Sequence, residues 1–144
     1  MSTAFRGYLY KAVKTNEVFP LQYIEYNTYK STPNQREELK AYRDDNSRDL
    51  IRVTASGMKS TMEHKTRKNL HLADMAIIQG WLFRAQEDTE EAHIQRKIEL
   101  EYWDNEQLSY KTGTFYIPNI DYKIIRLTDD DIIYDQIELK YIEY

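Results

Sequence analysis

From residue 132 to 144 the chain alternates with a period of two. Ile133, Asp135, Ile137, Leu139 and Tyr141 fall on one side, and Tyr134, Gln136, Glu138, Lys140 and Ile142 on the other. Successive side chains of a strand point to opposite faces, so this pattern specifies a β-strand. Residues 21–32 alternate in the same way with Tyr on both faces, Tyr26 against Tyr23 and Tyr29, so each of those faces is expected to be partly covered. The same bias runs through the whole chain, which holds 13 Tyr in 144 residues. Tyr and Ile suit a pleated, half-buried surface, and each Tyr hydroxyl needs water or a partner.

Other segments fit the same class. Residues 5–14 read as a strand, with Phe5, Leu9 and Val13 evenly spaced. A second strand is expected over 21–32 after Pro20, and a third over 59–66. Residues 94–117 read as a hairpin turning at Asp104, Asn105 and Glu106, and 122–127 as a further strand. One helix is expected over 70–86, where Leu72, Met75, Ala76, Ile78, Gln79, Leu82 and Phe83 recur at helical spacing. Asp74 near its start suits the helix dipole. The acidic run 87–91 reads as a solvated loop. Residues 33–55 admit two readings. Pro33 and Gln35 fit a helix start, but Leu39, Ala41 and Tyr42 make a thin apolar stripe. The favoured reading is a protruding, charged hairpin turning near Asp44, Asp45, Asn46 and Ser47. The expected fold is mainly β, a sandwich or barrel of about seven strands with one packed helix, in a single domain over 1–144.

Composition removes several function classes. Cys is absent, so disulfides, thiolate metal sites and Cys nucleophiles are excluded. The formal net charge of −4 does not suit a surface that binds nucleic acid by bulk charge. No run of about 18 apolar residues occurs, so neither a membrane-spanning helix nor a signal peptide is expected. His64, His71 and His93 have no metal-ligand spacing, and Asp129, Asp130 and Asp131 lack the pattern of a calcium loop. Glu99 and Glu101 pair on one face of a strand, which is the usual solvated arrangement. Lys59, Lys65, Arg67 and Lys68 form the one local basic cluster and read as strand surface. No nucleophile context and no Gly-rich phosphate loop is found, so no enzyme, no metal and no cofactor is expected.

Three stretches together carry a resemblance. The first is Thr32, Pro33, Asn34, Gln35 and Arg36 running into Tyr42, Arg43, Asp44, Asp45 and Asn46, then Leu50, Ile51 and Arg52. The second is the strand–helix passage from Met62 to Leu82. The third runs from Tyr110 through Gly113 and Phe115 to Pro118, with Ile142, Glu143 and Tyr144 closing the chain. The set resembles small tail-module proteins of phages and prophages of Gram-positive bacteria, many known only as a family of unknown function. The resemblance implies a tail-tube or distal-tail fold. It implies a non-enzymatic virion structural protein, made in the bacterial cytoplasm, that joins copies of itself into a ring, generally a hexamer. Its other partners would be tail proteins: tube, tape measure and baseplate hub. DNA would pass only as cargo, and net acidity would keep a channel from gripping its phosphates.

On that reading the subunit interface is expected on the 33–55 hairpin, at Arg36, Glu37, Glu38, Arg43, Asp44, Asp45, Arg48 and Arg52, and on the terminal strand at Tyr141 and Tyr144. A ring would protect exposed strand edges by pairing them with the next subunit. The alternative is a monomeric β-sandwich binding module for carbohydrate or a host-surface ligand. It predicts a concave Tyr/Trp platform around Trp81 or Trp103. A small enzyme would instead place His64 or His93 in a deep polar pocket.

Overall fold

The strand Lys97–Asp104 (β8) shows the alternation most clearly: Ile98, Leu100, Tyr102 and Asp104 are buried and the residues between them are half exposed. It pairs antiparallel with Ser109–Tyr116 (β9) from Lys97↔Tyr116 to Asp104↔Ser109, across a turn in which Leu108 takes a positive φ. This is the hairpin expected over 94–117, entered three residues later, at Lys97. The computed structural model describes residues 4–35, 38–43, 50–54 and 59–144.

Before β8 come Tyr10–Ala12 (β1), Glu17–Val18 (β2), Lys30–Gln35 (β3), Glu38–Arg43 (β4), Leu50–Thr54 (β5), Lys59–Lys65 (β6) and Leu70–His71 (β7). After β9 come Ile124–Leu127 (β10), Ile132–Tyr134 (β11) and Glu138–Glu143 (β12). Seven of these form one antiparallel sheet in the order β2-β1-β8-β9-β12-β6-β3. β10, β11 and β7 form a three-stranded sheet, and β4 pairs with β5 in a sheet of their own. The chain is therefore mainly β, as expected.

The main sheet is rolled. β8, β9 and β12 separate β1 from β6 in the sheet, yet the Tyr10 hydroxyl of β1 lies 2.7 Å from His64 Nε2 of β6. The edge strand β3 likewise reaches β8, where Asn34 Nδ2 donates to Asp104 Oδ2 at 2.9 Å. The rolled sheet is filled by Tyr10, Phe19, Tyr23, Met62, Leu100, Phe115, Leu139 and Tyr141.

One end of the core is closed by the helix Leu72–Ala85 (α1), which buries Met75, Ile78, Trp81, Leu82 and Ala85. Asp74 accepts a hydrogen bond from the His71 backbone N–H at 3.0 Å, satisfying a donor at the helix start. Asp131 adds to this, accepting from the Leu72 N–H at 3.1 Å and contacting His71 Nδ1 at 2.7 Å. The acidic run 129–131 is thus the expected turn between strands, and its last member also caps the helix.

Four expectations need correction. Residues 132–144 are not one strand: β11 and β12 are separated by residues 135–137 and belong to different sheets. Residues 21–29 are not a strand: Leu21–Tyr23 and Tyr26–Thr28 are single 3-10 turns, closed by Tyr23 N–H to Pro20 C=O and Thr28 N–H to Glu25 C=O. They bury Tyr23 and Ile24 side by side, which a strand covered on one face cannot do. Residues 5–14 pair over Tyr10–Ala12 alone, before a turn that leads into β2. The acidic stretch is not all loop, because Glu90–Gln95 forms a second short helix (α2). It is capped by Thr89 Oγ1 accepting from the Ala92 N–H and ended by Arg96 in the left-handed region.

Candidate functional site

The candidate interface begins at an insertion. β3 ends at Gln35 and β6 begins at Lys59, and these two residues are register partners. The chain between them therefore leaves and rejoins the sheet at one place. Within it β4 and β5 pair antiparallel, from Glu38↔Thr54 to Arg43↔Leu50, with Ala41 opposite Arg52. The hairpin reading of 33–55 holds for the backbone of these strands, and the helix reading gives way. Arg36, Glu37, Asp44, Asp45 and Arg48 lie outside the described residues. Glu38 and Arg43 lie on β4, and Arg52 on β5.

The root of this insertion is a buried polar clamp. Asn34 takes the left-handed conformation, at φ 54°, which Asn tolerates better than most residues. Its backbone N–H donates to Ser60 Oγ at 3.1 Å, tying the outgoing strand to the returning one. Its side chain donates to Asp104 and accepts from Lys111 Nζ at 2.9 Å. Asp104 has no solvent exposure and also pairs with Lys111 at 3.1 Å. Burial alone would push its carboxyl up. Hydrogen bonds from Asn34, Lys111 and the Glu106 and Gln107 backbone outweigh that and hold it below the usual carboxylate value. The Ser60 N–H donates to Glu143 Oε1 at 2.7 Å, which joins the clamp to β12.

The sequence reading did not single out the clamp. Its one signal is Asn34 after Pro33, a pair that favours a turn. Nothing local marks Asp104 as buried, because its burial depends on β3 folding over the end of β8.

The two terminal Tyr residues separate. Tyr141 is fully buried, and its hydroxyl lies 2.9 Å from that of Tyr10. It is a core residue of this fold rather than surface available to a neighbouring subunit. Tyr144 is exposed. Its hydroxyl donates to Gln95 Oε1 at 2.8 Å, and its ring meets Tyr116 edge-on.

The rival sites also find their places. Trp81 is buried, with its indole N–H donating to the Glu17 carbonyl at 3.1 Å. Trp103 meets Phe5 and Tyr110 edge to face, and neither Trp forms the centre of a flat platform. His64 sits among Tyr10, Phe19 and Tyr29 in the core. Burial disfavours its charged form and lowers its pKa to about 4, the bond to the Lys65 carbonyl opposing only in part. His93 lies on α2, stacked on Phe83, with Nδ1 2.7 Å from Gln86 Oε1. The broad surface cleft around Lys65, Asp121, Lys123, Asp135 and Gln136 includes neither His. Among the described residues no cluster of three or more His, Asp or Glu has a metal-binding arrangement.

No curated protein matches the sequence. Among solved structures, the chain is similar to one described as "Tail of empty GTA particle computed with helical refinement, C6 symmetry". The two share 14% sequence identity at a TM-score of 0.55, over 98% of this chain and 95% of that one. At that identity the likeness is one of fold. The family described as "Family of unknown function (DUF6711)" matches residues 1–144, and the chain belongs to that family.

Proposed function

We propose that this chain is a non-enzymatic structural subunit of a phage-type tail. Copies of it form a closed ring, of six on the pattern of the similar structure, in the tail tube or at its distal, baseplate-proximal end. The reading is carried by the fold likeness to a C6-symmetric tail, which runs through nearly the whole of both chains. The motifs that resemble tail modules of Gram-positive phages support it independently. Other tail proteins are its further partners, the virion is its location, and DNA is only cargo in the channel.

The architecture suits this role. A rolled sheet whose edge strands among the described residues are β2 and β3, and an inserted two-stranded arm on a fixed root, offers surfaces that copies can pair across. The arm, through Arg36, Glu37, Glu38, Arg43, Asp44, Asp45, Arg48 and Arg52, is the proposed contact to neighbouring copies, together with Tyr144. Ordered contacts between different patches close into a ring when the rotation permits.

The test is particle composition. Tails purified after prophage induction are analysed by mass spectrometry and labelled with antibody for electron microscopy. Labelling along the tail tube or at its distal end is the expected result. Particles that are complete in a strain lacking this gene would overturn the reading.

A further inference from the structure

We infer that the outer face of α1, with the edge strand β10 beside it, is where a second copy of this chain docks. The inference rests on the tail-subunit reading and adds to it a surface outside the charged arm.

An amphipathic helix at a protein surface turns its polar side to water. α1 does so only at Gln79 and Arg84, which are held by Tyr122 and Glu17. Its inner side buries Met75, Ile78, Trp81 and Leu82, while its outer side also exposes Leu72, Ile77 and Phe83, with Ala73, Ala76 and Gly80 between them. These outer positions recur at intervals of three and four, so they form one stripe along the helix. So many apolar residues on the outer side are more than a solvated helix face carries.

β10 repeats the anomaly in a strand. All four of its residues are exposed, so neither of its faces is covered. It pairs with β11 on one side only, and among the described residues its other edge carries no strand. Ile124, Ile125 and Leu127 stand on it beside a single charge, Arg126. Its register against β11 shifts between Ile124 and Arg126, but one charge and one irregularity are a light guard for an exposed apolar edge, which soluble monomers avoid. The two surfaces adjoin. Gln79 of α1 donates to the Tyr122 hydroxyl just before β10, and Asp131 just after it holds the start of α1.

The size of the patch and its free edge fit a second copy. Leu72, Ile77, Phe83, Ile124, Ile125 and Leu127 are each between 45% and 67% exposed. Together they present roughly 600 Å² of apolar surface, most of the ~800 Å² per partner of a standard interface. The free edge of β10 asks for a strand, and among the described residues β2 and β3 are edge strands of the main sheet. A contact between unlike patches of identical chains is head-to-tail, the kind that builds rings.

The full-length protein tests this directly. The double variant Ile77→Glu, Phe83→Glu and the single variant Ile125→Glu are compared with wild type by light scattering across concentration. Wild type is expected to form oligomers and both variants to give the monomer mass, with melting temperatures close to wild type. A photo-crosslinking phenylalanine analogue at Phe83, in an otherwise native chain, covers the case in which a variant misfolds. It is expected to yield a band at twice the chain mass. Variants that assemble like wild type, crosslinks confined to one chain, or a wild type that stays monomeric would each overturn this docking site. None of these results bears on whether the protein is found in tail particles, so the two readings fail separately.

Discussion

Tyr10 and His64 meet at 2.7 Å across the inside of a sheet in which three strands lie between them. His64 Nδ1 faces the Lys65 carbonyl, so its Nε2 accepts the Tyr10 proton, and Tyr10 oxygen accepts in turn from Tyr141 at 2.9 Å. A neutral imidazole is thus built into the core, and the first prediction concerns its titration. The unfolded chain protonates this His near pH 6.5, whereas the folded one resists until about pH 4. The unfolded state binds more protons in that window, so stability is full above it and falls as pH drops through it, by about 3 kcal/mol in all. Thermal melts at pH 7 and pH 5 should show this loss, and His64→Phe should flatten it. An equal slope in the variant would assign the pH effect elsewhere.

The two Tyr hydroxyls differ in how much depends on them. Tyr10→Phe removes the partner of both His64 and Tyr141 and should cost about 1–3 kcal/mol, since a buried polar group is left unpaired. Tyr141→Phe leaves the Tyr10–His64 bond in place and should cost less. Urea unfolding of both variants ranks them, and the reverse order would contradict the chain of bonds described.

Asp104→Ala should lower stability by about 2–3 kcal/mol, because it strips Asn34, Lys111 and two backbone N–H groups of a buried charged acceptor. Its carboxyl is held low in the folded state, so its contribution is present above the usual carboxylate range and lost as pH falls below it. Lys111→Ala should cost less, as three donors still reach Asp104. Denaturant curves at pH 7 and pH 3 provide the check.

Gly113 lies opposite Leu100 in the β8–β9 ladder, where an added Cβ would stand 2.5 Å from Glu143 Oε2 and 3.2 Å from the Phe115 ring. Gly113→Ala must displace Glu143, which also holds the Ser60 N–H. The expected cost is about 1–2 kcal/mol of overpacking. Unchanged stability would mean that Glu143 moves without loss.

Replacing residues 36–58 by a short Gly-Ser linker should leave the core folded, since Gln35 and Lys59 are already partners across the gap. Melting temperature and circular dichroism should stay near those of wild type while ring formation is lost. Rings from this deletion would remove the arm from the interface.

Much of the fold is legible in local pattern. β8, β9, β6 and β12 are strands long enough for their alternation to show, and α1 carries an apolar period on its buried side. The failures have physical causes. Tyr23 ends a 3-10 turn and Ile24 follows it, both buried, and a period of two with one covered face cannot express that. α2 announced itself through Thr89 followed by Glu90 and Glu91, a capping residue before first-turn acids, but its acidity resembled a loop. Tyr141 and Tyr144 look alike in sequence. Only the rolled sheet decides that one lies in the core and the other at the surface. The clamp was illegible because Asn34, Ser60, Asp104 and Glu143 are brought together from four separate strands or turns.

The order of the main sheet also decides what can be taken from it. β12 is not an edge: it lies between β9 and β6 and alone joins the four strands on one side to the two on the other. Without it, β2-β1-β8-β9 and β6-β3 share no backbone ladder among the described residues, and Tyr10 loses Tyr141, its partner 131 residues away in sequence. Removing this strand would not trim the sheet but cut it in two. A subunit is therefore ready for its neighbours only once β12 is seated.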